Sequence, residues 1–208
     1  MIWVRKKDVP VQAWQLGENT EMEKKMIREG KIVPREDGRY EVFSLEAAGA
    51  TGQIAAKGDY FAMNSRDLKI SHLELIGNYG FDGGENIEIS DSKLITKDAF
   101  WNCRNITVKN SYISGEYFGW NSENILMENC TLESLQGMCY IKGLVMKNCK
   151  LIDTTLSFEY SEVDATIEGH IDSVKNPSSG RIHAGSIGEL IMEDDRVDTS
   201  ATIIETEE

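Results

Sequence analysis

Stepping through the chain nineteen residues at a time from Leu68 lands on Ile87, Ile106, Ile125, Leu144, Val163 and Ile182, all of them aliphatic. Two positions further on, the same step gives Ile70, Ile89, Val108, Met127, Met146 and Ala165. A third column, seven positions on, reads Leu75, Leu94, Ile113, Leu132 and Leu151, and breaks at His170. Polar columns keep the same period: His72, Asp91, Asn110, Asn129, Asn148, and beside them Leu73, Ser92, Ser111, Cys130, Cys149. Asp67, Asn86, Asn105 and Asn124 stand just before each register start. A fixed period shared by five columns is the mark of a stacked repeat, and it decides the fold before any motif is considered.

Within each period the apolar residues alternate with polar ones, the rhythm of a strand with one buried face, and no 3.6-residue helical period appears. The frame of leucines needed by a leucine-rich repeat is missing. Short strands joined by tight polar bends, stacked coil on coil about 4.8 Å apart, make a parallel β-helix. Equivalent side chains then lie above one another. The aliphatic columns become a continuous core. The Asn column becomes a ladder whose amides bond each other and satisfy backbone groups at buried bends. Asn also tolerates the left-handed backbone that such bends require.

The chain has 208 residues, and its charge is unevenly spread. Residues 1–60 hold ten Lys and Arg against ten Asp and Glu, so the remaining twelve and twenty-five carry the whole net charge of −13. An acidic surface of this kind argues against nucleic acid or an anionic membrane as partner. No apolar run approaches the roughly 18 residues of a membrane span, and Met1–Lys7 lacks the apolar core of a secretory signal, so a cytoplasmic location is expected. Cys103, Cys130, Cys139 and Cys149 form no CxxC pair. They read as buried, reduced thiols, with no metal and no cofactor expected.

The segments 97–125, 136–151, 158–163 and 175–180, including the runs KDAFWNCRNITVKNSYISGEYFGWNSENI and KNPSSG, closely resemble an uncharacterised bacterial family, DUF3737. The resemblance begins near Asp59 and implies a right-handed, pectin-lyase-like β-helix without an assigned activity. Before it, Thr20–Glu23 reads as a capping box opening a helix that carries Met22, Met26 and Ile27 and stops at Gly30. Residues 1–17 read as extended, and Tyr40–Leu45 and Gly52–Ala56 as strands. VQAWQL, REGKI, FSLEA and KGDYF resemble a small phage and prophage domain that ends in Gly-Asp-Tyr. The expected organisation is therefore mainly β: a small α+β cap over 1–58, then a right-handed parallel β-helix of about six to seven 19-residue coils over 59–208. The cap would cover the open lower end of the stack; a homodimer meeting at that end is the alternative cover.

Chemistry is sparse. By strand parity Ala99, Trp101 and Cys103, then Phe118, Trp120 and Ser122, then Leu156, Phe158 and Tyr160, are expected to point inward. Trp101 over Trp120 reads as a core stack, with a sugar-binding platform as the alternative. Asp98 and Glu116 fall in neighbouring coils beside Tyr79 and Tyr117. If they face outward, they are the one carboxylate pair that could serve a glycoside hydrolase, with the tyrosines binding substrate. A polysaccharide lyase would need an exposed base beside an acidic cluster, and none stands out. His170 and His183 are isolated, and GFDGGEN at 80–86 resembles a calcium turn only in composition. The functional expectation is a non-enzymatic scaffold or binding module with a glycan or protein partner. The alternative is a carbohydrate-active enzyme using Asp98 and Glu116.

Overall fold

The computed structural model describes residues 54–207, together with Lys24, Arg28 and four short strands nearer the N-terminus: β1 (Trp3–Lys6), β2 (Val9–Gln12), β3 (Ile32–Pro34) and β4 (Tyr40–Val42). Lys24 and Arg28 are helical, in the segment expected to be a helix; the capping box, the Gly30 stop and Trp14 lie outside the described residues.

From β5 (Ile54–Lys57) onward the chain is a parallel β-solenoid. One face stacks β6 (Arg66–Ser71), β8 (Glu85–Ser90), β10 (Arg104–Lys109), β12 (Glu123–Glu128), β14 (Lys142–Ile152), β15 (Glu162–Lys175), β16 (Ser179–Ile191) and β17 (Thr202–Thr206), which makes eight coils rather than six or seven. The second face stacks β5, β7 (Leu73–Gly77), β9 (Lys93–Thr96), β11 (Tyr112–Gly115), β13 (Thr131–Ser134) and the end of β14. A third side, around 78–84 in the first full coil and its equivalents above, is made of turns.

The register is the sequence period made visible. Leu68 pairs with Ile87, Ile87 with Ile106, Ile106 with Ile125, Ile125 with Leu144 and Leu144 with Val163. All six are buried, as are the columns through Ile89 and Leu94. The seventh residue of the first column departs from the expectation: Ile182 pairs with Ala165, not Val163, because the coil through β15 is two residues short, first at the irregularity opposite Met146 and Cys149 and in full by the Ser157–Val174 bridge. At that level the chain also drops the second face. β15 and β16 run side by side as long strands, and His170, where the third aliphatic column breaks, is exposed.

Three columns of left-handed residues turn the corners. They are Asp67, Asn86, Asn105, Asn124 and Gly143; His72, Asp91, Asn110, Asn129 and Asn148; and Asn64, Gly83, Asn102, Asn121 and Tyr140, all with φ between 49° and 68°. The Asn side chains do form ladders, with Asn129 Nδ2 donating to Asn110 Oδ1 at 3.3 Å and Asn105 Nδ2 to Asn86 Oδ1 at 2.9 Å. The ladders stand outside the coil, however, not in buried bends, because a left-handed corner turns its side chain to solvent. Asn129 is therefore held for its backbone. Asn129→Ala is expected to lose about 1–2 kcal/mol in chemical denaturation, the cost of a left-handed Cβ. Asn129→Gly should stay within about 0.5 kcal/mol of wild type, since glycine adopts that conformation freely.

Inside the corners, hydroxyls take the place of ladder partners. Ser92 Oγ accepts Leu73 N–H at 3.0 Å and donates to Ser90 O, and Ser111 Oγ does the same one coil up for Ser92 N–H and Lys109 O. On the outer surface of the first face charges alternate along the stack, pairing Arg66 with Glu85, Arg104 with Glu123 and Lys109 with Glu128. Like charges about 4.8 Å apart would otherwise repel.

Candidate functional site

The third side does not obey strand parity. Ala99 and Phe100 are consecutive and both buried, as are Phe118 and Gly119. Left-handed residues at Asn102, Gly119 and Asn121 reset the alternation. The core aromatic stack is therefore Phe81, Phe100 and Phe118, with centroids 5.5 and 5.4 Å apart. Trp101 and Trp120 do stack, at 6.1 Å and 20°, but on the outside and half-buried, as is Tyr160. Ala99, Cys103, Phe118, Ser122 and Phe158 are buried as parity expected; Leu156 is only half-buried.

The tryptophans belong to a spine of six rings, Tyr60, Tyr79, Trp101, Trp120, Tyr140 and Tyr160, with neighbouring centroids 5.0 to 6.1 Å apart. Tyr60 and Tyr79 are nearly parallel at 16°, and Tyr117 packs edge-on against Trp120 at 90°. Tyr60 with Tyr79 and Trp101 with Trp120 meet face to face, Tyr79 meets Trp101 at 64°, and the two upper pairs are tilted, so the spine links successive coils through ring contacts.

Asp98 and Glu116 occupy neighbouring coils but face different ways. Asp98 is fully buried. Its carboxylate accepts the backbone N–H groups of Phe100, Gly119 and Trp120 at 3.0, 2.7 and 3.2 Å, tying two coils together. Burial pushes its pKa above the ordinary carboxylate range, and those N–H donors oppose the rise. Glu116 is half-exposed and pairs with Lys97 Nζ at 3.2 Å. That contact raises the Lys97 pKa, first through the hydrogen bond and then through the charge. Tyr117 is also raised, by desolvation and then by Glu116. The one outward carboxylate of the pair thus faces a lysine, while the other is spent on backbone.

Among the described residues, a concave feature of the surface lies one or two positions earlier in each coil. A groove of about 530 Å³ follows the corner between the second face and the third side, lined by Lys57 to Asp59, Ile76 to Asn78, Ile95 to Lys97, Ser114 and Gly115. Four successive coils contribute, giving a trough about 15 Å long. Its floor is a column of small residues, Gly58, Gly77, Thr96 and Gly115. A Cβ on Gly77 would lie 2.0 Å from Gly58 O, and one on Gly115 1.9 Å from Thr96 O, so the corner admits only glycine there. Ile76 and Ile95 form one wall; Asp59, Asn78 and Lys97 form the other, with Asp59 Oδ1 accepting Asn78 N–H at 2.8 Å. Lys57 is exposed and has no ion-pair partner among the described residues. Sequence reasoning passed over this column, although its small residues recur at the same period as the core. His170 is less isolated than expected: Nδ1 lies 3.0 Å from Ser186 Oγ and Nε2 3.8 Å from Asp172 Oδ1, on the open outer face of β15 and β16.

No curated protein and no solved structure compared with the chain gives a significant match. The family described as a protein of unknown function, DUF3737, matches residues 23–205, most of the solenoid and part of what precedes it, and the chain belongs to that family.

Proposed function

We propose that the chain is a non-catalytic β-solenoid module that binds an extended partner, glycan or protein, along its axis in the corner groove. The observation that carries this reading is the trough itself: residues at the same corner of four successive coils line one concave surface, with Ile76 and Ile95 on one wall and Asp59, Asn78 and Lys97 on the other. A surface that repeats along a line suits a ligand that also repeats along a line. The consumption of the Asp98 carboxylate by three backbone donors supports binding over hydrolysis. The enzymatic alternative keeps one supporting feature, the half-exposed Glu116 at the groove's end beside Tyr117.

Residues 1–58 fit this proposal as a cap, supported by the antiparallel pairing of β1 with β5 and of β2 with β1. Parallel stacking begins at β5, inside that segment, so the cap and the first coil share chain. The pectin-lyase-like class, the phage-like character of the N-terminal segment and the cytoplasmic location stay with this proposal.

Glycan and peptide arrays probed with wild type and with Ser114→Trp, which fills the trough, test the reading. Binding that falls at least about tenfold in the filled variant and is unchanged in Glu116→Gln supports it. Release of new reducing ends from any bound glycan, abolished in Glu116→Gln, would replace it with the enzyme reading.

A further inference from the structure

We infer that Cys130 and Cys149 are an oxidisable pair that closes a disulfide between adjacent coils. The two residues continue the corner column occupied below them by Ser92 and Ser111. Lys150 N–H donates to Cys130 O at 2.9 Å, and Thr131 pairs with Lys150, so the two cysteines stand one above the other. Neighbouring strands put such Cα atoms about 4.8 Å apart, within the range of about 4.4–6.8 Å that disulfides span. Both thiols turn inward, with Cys130 Sγ 3.3 Å from Glu128 O and Cys149 Sγ 3.4 Å from Lys147 O.

The column shows that serine would do the structural work. Ser92 and Ser111 donate to the equivalent carbonyls and also accept an N–H from the coil below. What two stacked thiols add, and two hydroxyls lack, is redox chemistry. Cys149 is held below the ordinary thiol range by a hydrogen bond from Cys130, whose own pKa rises in consequence. Cys103 and Cys139 are instead pushed up to about 12 by burial, which suppresses their thiolates.

The oxidant is a peroxide. The Cys149 thiolate attacks one peroxide oxygen, the O–O bond breaks, hydroxide leaves and a sulfenic acid forms. Cys130 sulfur then attacks Cys149 Sγ, the S–O bond breaks and the oxygen leaves as water. In sum, two thiols and one hydrogen peroxide give one disulfide and two waters. Both thiols are buried, at 2% and 0% exposure, so reaction proceeds through opening of the corner, where Asn129 and Asn148 already face solvent.

The test treats the full chain with hydrogen peroxide, alkylates the remaining thiols after denaturation, and maps the digest by mass spectrometry. A peptide linking Cys130 to Cys149, two hydrogens lighter than the reduced pair, is expected, with Cys103 and Cys139 still alkylated. The oxidised wild type should melt several degrees above its reduced form, because the bridge constrains the unfolded chain. Cys130→Ser, which places a hydroxyl where the column already carries one, should fold normally and show no such shift. Four alkylated thiols, a bridge to Cys103 or Cys139, or Cys149 carried to sulfinic acid without a bridge would each overturn the assignment.

Discussion

Ile125→Ala is expected to lower the stability of the chain by about 2–5 kcal/mol, read as a fall in the denaturant midpoint. Ile125 is 1% exposed and is paired in register with Ile106 below and Leu144 above, so truncation empties a space that neither neighbour can reach without leaving its own coil. A solenoid makes the loss harder to absorb, since each coil contacts only its two neighbours and a weakened coil weakens both junctions. The control is Leu126→Ala, one residue along on the outer face, where the side chain is only half-buried. That variant should lose markedly less. Equal losses at 125 and 126 would mean that the inward face has been assigned to the wrong residues.

The stacked faces were legible because their chemistry is periodic and local. Ile87, Ile106, Ile125 and Leu144 alternate with polar residues, and a parallel ladder turns a repeated sequence position into a shared spatial one. Two things were beyond a linear reading. On the third side the backbone leaves the strand region at Asn102, Gly119 and Asn121, so counting by twos put Trp101 and Trp120 inside when Phe81, Phe100 and Phe118 fill that space. Asp98 aligns with Tyr117, and Glu116 stands over Lys97, so the two carboxylates sit one position out of register and face opposite ways.

The second limit lies in the shortened coil through β15. Ile182 keeps the nineteen-residue spacing and an aliphatic side chain, yet pairs with Ala165, since register is set by the path of the coil and not by the count alone. The groove shows the converse. Gly58, Gly77, Thr96 and Gly115 sit in a plain column, but smallness means little until the backbone is seen to pass within about 2 Å of where a Cβ would stand. The candidate site was thus present in the sequence as a regularity without an evident meaning.

Deleting residues 1–53 is expected to give species that associate more strongly than the intact chain, detected by light scattering at constant concentration. The deletion leaves β5 in place but strips it of β1, whose Trp3 to Lys6 pair antiparallel with Lys57 to Ile54. Those four residues would become an open edge on a long, regular sheet, the template that strand-to-strand aggregation requires. Among the described residues the edge strand beyond β1 is β2, which carries Pro10 opposite Arg5 and so has one fewer N–H to offer an incoming strand. At the other end β17 pairs only with β16 among the described residues and carries the exposed charge of Glu205, with exposed Glu207 just beyond it. Each end thus bears a feature that discourages continuation of the sheet, proline at one and carboxylates at the other. Removing the hairpin takes the protection from one end only, so association should proceed through β5 and be suppressed by Ala55→Pro in the truncated chain, which removes an N–H at the new edge. A truncated chain that stays monomeric would mean that β5 needs no cover, and residues 1–53 would then be better understood as a tethered recognition element than as a cap.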